Sequence, residues 1–448
     1  MVLLCSWRTV KEVSLLLGEL AELAPIITRK LIVTAQSLLT SLVSLCRSST
    51  PAACHVARGS NGGYHKGGAG GKLCATRRSA GVPFMVQISN LFLFLLCLSD
   101  NPECGLITEE QLLSIGDHFT TLLAETKHRG AFEQAYVGFC KLCSRLWFHS
   151  AGRLHQLPAM WLGDLMAAIT GGAGGKLCAT RRSAGIPFMV QALVTTQLRT
   201  GGGPSCFQQS MSTLLDLASH SGTCVVEART HALNILRALY RNSALGELVT
   251  PYVAEGVIAA VKGFRGNTWA ERNSATLLFS ALMTRIFGVQ RSRHTLNARN
   301  KMTGRVFFHR YPQLFDFLLQ ELGTLSSTMT QGGSQTLELH PSLYPVLLLL
   351  ARLYPSSLEG TDSNLQLSAY IPHVSACARS AVLKTRTLVA RALVPLIMPN
   401  MFTAHLSQLF EEVSAIHGVG ENYRHGLLLQ TASSGHESRL MLLVELLG

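Results

Sequence analysis

Residues 108–148 read TEEQLLSIGDHFTTLLAETKHRGAFEQAYVGFCKLCSRLWF, and this stretch decides the fold class. Thr108-Glu109-Glu110-Gln111 has the form of a capping box, in which side chains at the helix start satisfy amides that no helical carbonyl can reach. Leu112, Ile115, Phe119, Leu122 and Leu123 then recur at three- and four-residue spacing, which is one apolar helical face. Gly130 supplies a stop signal. A second amphipathic helix follows from Ala131 to about Phe148, with Phe132, Tyr136, Phe139, Leu142 and Leu146 on its buried side. Two such helices joined by a short turn form an αα-hairpin.

Outward from this hairpin the pattern repeats. The spacing predicts helices over Val225–Tyr240, Val253–Phe264 and Trp269–Phe287, then Tyr311–Leu322, Tyr344–Tyr354, Lys384–Ile397, Met401–His417 and Gly426–Leu447. Glycine, proline and polar clusters predict loops at Ser48–Gly71, Gly201–Ser205, Gln290–Lys301, Thr328–Gln335 and Ser356–Asn364. Strand-like alternation is scarce. Helix after helix with short turns points to an all-α, HEAT/armadillo-like α-solenoid of stacked antiparallel helix pairs. A single irregular bundle is the alternative, because no strict consensus repeat is visible.

Composition agrees with stacked helices. Among 448 residues, 47% are hydrophobic and only 15% charged, against roughly 25% charged in an ordinary soluble domain. The mean hydropathy is +0.25. These values exclude intrinsic disorder, and 12 Cys over this length exclude a disulfide-stapled scaffold. A solenoid helix is covered on both sides, which accounts for the scarcity of charge. No apolar run reaches the roughly 20 residues of a membrane span: Ile88–Leu98 is interrupted by Ser89 and Asn90, and Val346–Leu350 runs into Arg352. Arg8, Lys11 and Glu12 fall where a signal peptide keeps its apolar stretch, so a soluble intracellular chain with free thiols is expected. Lys+Arg number 39 and Asp+Glu 26, a balance of +13 that favours a polyanionic partner.

One segment occurs twice. GGAGGKLCATRRSAGVPFMVQ at Gly67–Gln87 returns at Gly171–Gln191 with a single change, Val82 against Ile186. Repeats of a solenoid diverge gradually, whereas these near-identical copies have abrupt edges and unrelated flanks. We read the second copy as native and the first as an artefact of exon duplication or gene assembly. The resulting organisation is a helical segment at 1–46, an irregular insertion at 47–107 carrying the duplicate, and an α-solenoid at 108–448.

Catalytic and cofactor motifs fail on inspection. The glycines before Lys176 lack the spacing of a phosphate loop, and Leu177 stands where Ser or Thr would hold magnesium. Cys140 and Cys143 form a CxxC within a predicted helix, with no second Cys/His pair at zinc spacing, and read as small residues packed in an interface. No HExxH or GxSxG is present, and His231 and His425 read as packing or surface residues. Two features remain. Arg181-Arg182-Ser183-Ala184-Gly185-Ile186-Pro187 sets adjacent guanidinium groups before a small turn and a proline, near a helix start or break. Such a pair can grip phosphates or acidic side chains; a solvated pair covering a loop is the alternative. The stretch Arg285–Arg310 carries Arg285, Arg291, Arg293, Arg299, Lys301, Arg305 and Arg310 with no carboxylate, and reads as a basic loop between two helices. That is a field suited to a nucleic-acid backbone.

KLCATRRSAGIPF at Lys176–Phe188 resembles the signature of the THADA (thyroid adenoma-associated protein) family and its fungal relatives. Similar stretches run in family order along the chain, apart from a gap at about Arg47–Asp100: Trp7-Arg8 with Lys11-Glu12-Val13, HRGAFEQAYVGFCKL from His128, ARTHALNILRALYRN from Ala228, WAERNSATLLFSALMTRIFG from Trp269, LHPSLYPVLLLLARLYPS from Leu339 and ARALVP from Ala390. Family members are several times longer, so the chain looks like a fragment or truncated product. The resemblance implies a cytoplasmic, non-catalytic partner of an FtsJ-like tRNA 2′-O-methyltransferase that modifies nucleotide 32 of the anticodon loop. It implies S-adenosylmethionine on that partner and no cofactor here. The family's motif maps onto Arg181, Arg182, Ser183, Ala184, Gly185 and Pro187. With the basic stretch, these residues are expected to contact tRNA or the methyltransferase; a general scaffold for an acidic protein is the rival reading.

Overall fold

The computed structural model describes residues 109–125, 129–148, 153–171, 177, 183–219, 226–288, 302–331, 340–355, 366–398, 401–415 and 420–447. The segments predicted at 1–46 and 47–107, the first motif copy and the capping residue Thr108 lie outside these. Among the described residues every named element is helical, and the isolated β-type pairing is the parallel bridge Thr303–Tyr354. Packing divides the chain into two compact units, one through Glu247 and one from Leu248.

The first unit contains α1 (Glu109–Glu125), α2 (Arg129–Phe148), α3 (Arg153–Thr170), α4 (Ile186–Arg199), α5 (Ser205–Ser219) and α6 (Val226–Arg241). Phe119, Leu122 and Leu123 of α1 and Phe139, Leu142 and Leu146 of α2 are all buried, so the apolar stripes close on each other. The centre of the unit is α4, which packs against α2 and α6 and also meets α1, α3 and α5. Enclosure on so many sides turns even its polar residues inward: Thr195, Thr196 and Gln197 are buried. The two hydroxyls donate to the carbonyls of Gln191 and Ala192 one turn back. Gln197 donates to Ser205 Oγ at 2.9 Å and accepts from the Cys206 amide at 3.0 Å, capping the start of α5. Between α4 and α5 the chain turns through Gly201 and Gly203, both at positive φ, where a side chain would be strained.

The second unit contains α7 (Val253–Gly263), α8 (Trp269–Phe287), α9 (Gly304–Arg310), α10 (Gln313–Gln331), α11 (Leu343–Leu350), α12 (Ile371–Ala376), α13 (Leu383–Leu393), α14 (Phe402–Ala415) and α15 (Glu421–Leu447). Its helices pack α7 on α8, α11 on α13 and α13 on α15. Thr268 opens α8 with a capping box completed by Glu271, which is wholly buried. At the other end of α8, Phe287 stacks on Phe307 of α9, with centroids 6.3 Å apart and planes 10° from parallel. The next connection is held by the same region: the Tyr354 amide donates to Met302 O at 3.0 Å, and the Arg352 guanidinium lies over the Phe287 ring. Each unit is thus built from stacked helix pairs, the α-solenoid arrangement.

Several boundaries differ from the sequence reading, for identifiable reasons. Gly130 does not stop a helix; it sits in the first turn of α2, which begins at Arg129. The helix expected over Tyr344–Tyr354 ends at Leu350, because Tyr354 is drawn into the bridge with Thr303. Residues 394–396 tighten into a 3-10 turn after α13, as Pro395 cannot donate into a continuing helix. Helix α10 extends through Gln331 into the expected loop. The basic stretch is not one loop: Arg285 lies in α8, and Arg305 and Arg310 lie in α9, a seven-residue helix nucleated by the Thr303 cap.

Phe307 is fully buried between Phe287, Phe308 and Tyr311. Phe307→Ala should destabilise the second unit by about 3–5 kcal/mol, measured as a lower urea midpoint. A midpoint within error of wild type would show that this stack does not hold α8 to α9.

Candidate functional site

The motif with the arginine pair resolves into an enclosed turn. Ser183 and Ala184 adopt φ of 56° and 41°, left-handed values that non-glycine residues seldom take. Ser183 is completely buried. Its carbonyl accepts from the Ile186 amide at 3.0 Å, closing a turn that feeds directly into α4. Pro187 occupies the first turn of that helix, where its missing N–H leaves nothing unsatisfied. The sequence reading placed the motif at a helix start, and Ile186 is the first residue of α4.

Strain of this kind persists only when the surroundings over-determine it. Here they do. Ser183 Oγ is hydrogen-bonded to His231 Nδ1 at 2.7 Å and accepts from Asn234 Nδ2 at 3.1 Å. Both partners are buried in α6, spaced i and i+3 so that they share one face. Desolvation pulls the His231 pKa down to about 4, so the ring is neutral at pH 7 and meets the hydroxyl without bringing a charge into the core. Gly185 approaches α1 and α2 so closely that an added Cβ would stand 2.5 Å from the Leu123 carbonyl oxygen and 3.0 Å from Phe132 Cβ. Phe188 completes the fit, 5.4 Å from the rings of both Phe132 and Tyr136. Four helices therefore meet at the residues that immediately follow Arg182.

Arg181, Arg182, Arg291, Arg293, Arg299 and Lys301 lie outside the described residues. Ser183, Gly185 and Pro187 form the enclosed turn, while Arg285 and Arg305 are half-buried on α8 and α9 in the second unit. The Ser183 clasp was missed by sequence reasoning, which took His231 as a packing or surface residue. The available signal was the run Thr230-His231-Ala232-Leu233-Asn234-Ile235-Leu236, in which polar residues recur within a helix enriched in core positions.

The CxxC has no reactive character. Cys140 and Cys143 are free thiols. Burial raises Cys140 to about 11 and Cys143 well above its ordinary value, opposite to the shift an activated thiol requires. Among the described residues no cluster of three or more His, Cys, Asp or Glu could hold a metal ion, and no helix is long and apolar enough to cross a membrane.

These features define a helical-repeat protein whose distinguishing site is a rigid turn. Two family models match it: "THADA/TRM732, DUF2428" over residues 87–270, and "Trm732, C-terminal TPR repeats" over residues 272–434. The chain belongs to the THADA/Trm732 family. It is 46% identical over 328 residues to a Drosophila melanogaster protein named tRNA (32-2'-O)-methyltransferase regulator THADA, covering 69% of this chain and 19% of that protein. A Homo sapiens protein of the same name is 43% identical over 344 residues, covering 75% and 17%. The Schizosaccharomyces pombe regulator trm732 is 27% identical over 327 residues, covering 70% and 21%. This chain therefore spans about a fifth of the length of the curated relatives it matches. No solved structure matches it.

Two outcomes test the clasp. Ser183→Ala strands buried donors and acceptors on α6 and should cost about 1–3 kcal/mol. Gly185→Ala should cost more, since its Cβ meets backbone; equal stability of both variants and wild type would refute the turn. His231 titrates near 6.5 when unfolded and about 4 when folded, so its stabilisation is complete above pH 6.5. It should fall away by about 3 kcal/mol as the pH drops from 6.5 to 4. Urea unfolding of wild type and His231→Gln across that range should show the extra slope in wild type alone.

Proposed function

We propose that this chain is part of a non-catalytic regulatory subunit that positions tRNA for ribose 2′-O-methylation of nucleotide 32 by an FtsJ-like methyltransferase. The observation that carries the reading is the Ser183 clasp: it fixes the backbone directly after Arg181-Arg182 without supplying a nucleophile, a general base or a metal site. The printed names of the relatives, regulators of a tRNA (32-2'-O)-methyltransferase, supply the reaction. S-adenosylmethionine would belong to the methyltransferase, and the assembly would work in the cytoplasm.

In this reading the enclosed Ser183-Ala184-Gly185 turn acts as a footing. Adjacent guanidinium groups on a fixed base can take two phosphate or carboxylate oxygens with little ordering cost at the moment of binding. Arg291, Arg293, Arg299 and Lys301, with Arg285 and Arg305 at the helical ends, supply the long-range attraction for the RNA backbone. The helix pairs of each unit, whether of HEAT, armadillo or TPR kind, serve as the frame that carries these segments and contribute no chemistry.

Arg181→Ala combined with Arg182→Ala in the native-length protein should reduce methylation at nucleotide 32 about tenfold or more. Thermal unfolding should be unchanged, and the dependence of tRNA affinity on salt should flatten by about one unit of slope for each phosphate no longer engaged. Full methylation by the double variant would sink the role of the pair. Methyltransferase capture without salt-dependent tRNA binding would favour a scaffold for an acidic protein.

A further inference from the structure

An open cleft of about 420 Å³ lies between α8 and α11 of the second unit, and neither the clasp nor the core uses it. Its size falls in the range of small-ligand sites, about 300–1,000 Å³; a stable protein interface buries about 800 Å² on each partner. One wall is apolar and partly aromatic, formed by Phe279 and Met283 of α8 with Tyr344 and Leu348 of α11. Tyr344 is 48% exposed, so its ring face is open to an occupant of the cleft as far as the described residues go. The outer ridge of α8 contributes Thr276, Ser280 and Thr284 at successive turns. Thr276 and Thr284 donate their hydroxyl protons to Arg272 O and Ser280 O, at 2.8 and 3.0 Å, so their oxygens offer lone pairs to a donor in the cleft.

Charge selects among possible occupants. Among the described residues that line the cleft there is no carboxylate, and the ionised one is Arg352, whose guanidinium lies 5.5 Å from the Phe287 ring centroid. Gly288 forms part of the same rim, and beyond it the sequence continues through Arg291 and Arg293. The occupant that fits is flat and π-rich, carries N–H donors on its edge, and is attached to an anion. An unstacked nucleobase has all four properties. Bases of single-stranded loops are recognised in this way, on aromatic and apolar walls, with their edges hydrogen-bonded and their phosphates held by cations.

We propose that the α8–α11 cleft receives one unstacked base from a tRNA loop, with its phosphate toward Arg352. This rests on the tRNA-positioning reading. The test uses the full chain and a labelled anticodon stem-loop RNA, intact or with a single abasic site at each loop position in turn, and anisotropy over a range of salt. One abasic position should weaken binding about tenfold or more while leaving the salt slope unchanged, because base stacking disappears while the phosphates stay engaged. Leu348→Trp, which fills the cleft from its partly exposed wall, should weaken the intact hairpin similarly and the sensitive abasic hairpin hardly at all. Salt-dependent binding that ignores every abasic site would overturn the cleft proposal and leave the tRNA reading standing. Absence of salt-dependent binding would remove both. If Leu348→Trp left hairpin binding intact but abolished methyltransferase capture, the cleft would be a protein dock and the proposal would fall. Should that variant lose cooperative unfolding, the abasic series decides alone.

Discussion

At Ser183 the chain turns through a left-handed conformation while wholly enclosed, and its side chain must be satisfied from a helix 48 residues further along. A buried hydroxyl without partners would cost a few kcal/mol, and two successive non-glycine residues at positive φ add to that. The bonds to His231 and Asn234 offset both costs and set α6 against the start of α4. Gly185, pressed on Leu123 and Phe132, sets α4 against α1 and α2 at the same point. The first unit's helical register therefore converges on three small residues.

The fold class was legible because helical periodicity is a local property. Phe119, Leu122, Phe139 and Leu146 announce their shared core through spacing alone, and the helix read over Trp269–Phe287 is α8 with the same ends. What sequence could not supply was anything set by distant contacts. Helix α9 is seven residues long, too short for periodicity to register, and its ends are fixed by the Thr303 cap and the Phe287 stack. Leu350 ends α11 because Tyr354 pairs with residues some fifty positions earlier. The candidate site divides the same way. Its helix start could be read from Pro187, whereas the role of His231 depended on knowing which hydroxyl faced it.

Both units bury polar side chains, Glu271 and Arg386 of the second among them. In the first, polar side chains turn inward and determine geometry: Gln197 caps a neighbouring helix, and Asn234 and His231 hold a turn. In the second, Thr276 and Thr284 satisfy their own helix and present oxygens outward, beside a cation resting on an aromatic ring. Among the described residues Arg386 is the cation spent inside the core, and the others keep some access to solvent.

The Phe287–Phe307 stack and the Met302–Tyr354 bond have a further effect on the residues between them. Bringing together the ends of a free peptide as long as 289–301 would cost about 2 kcal/mol of closure entropy. Folding of the second unit has already met that cost, because Gly288 and Met302, the residues that flank the segment, are both held. Loosening the aromatic stem would return that closure cost to the folded chain without removing a single charge.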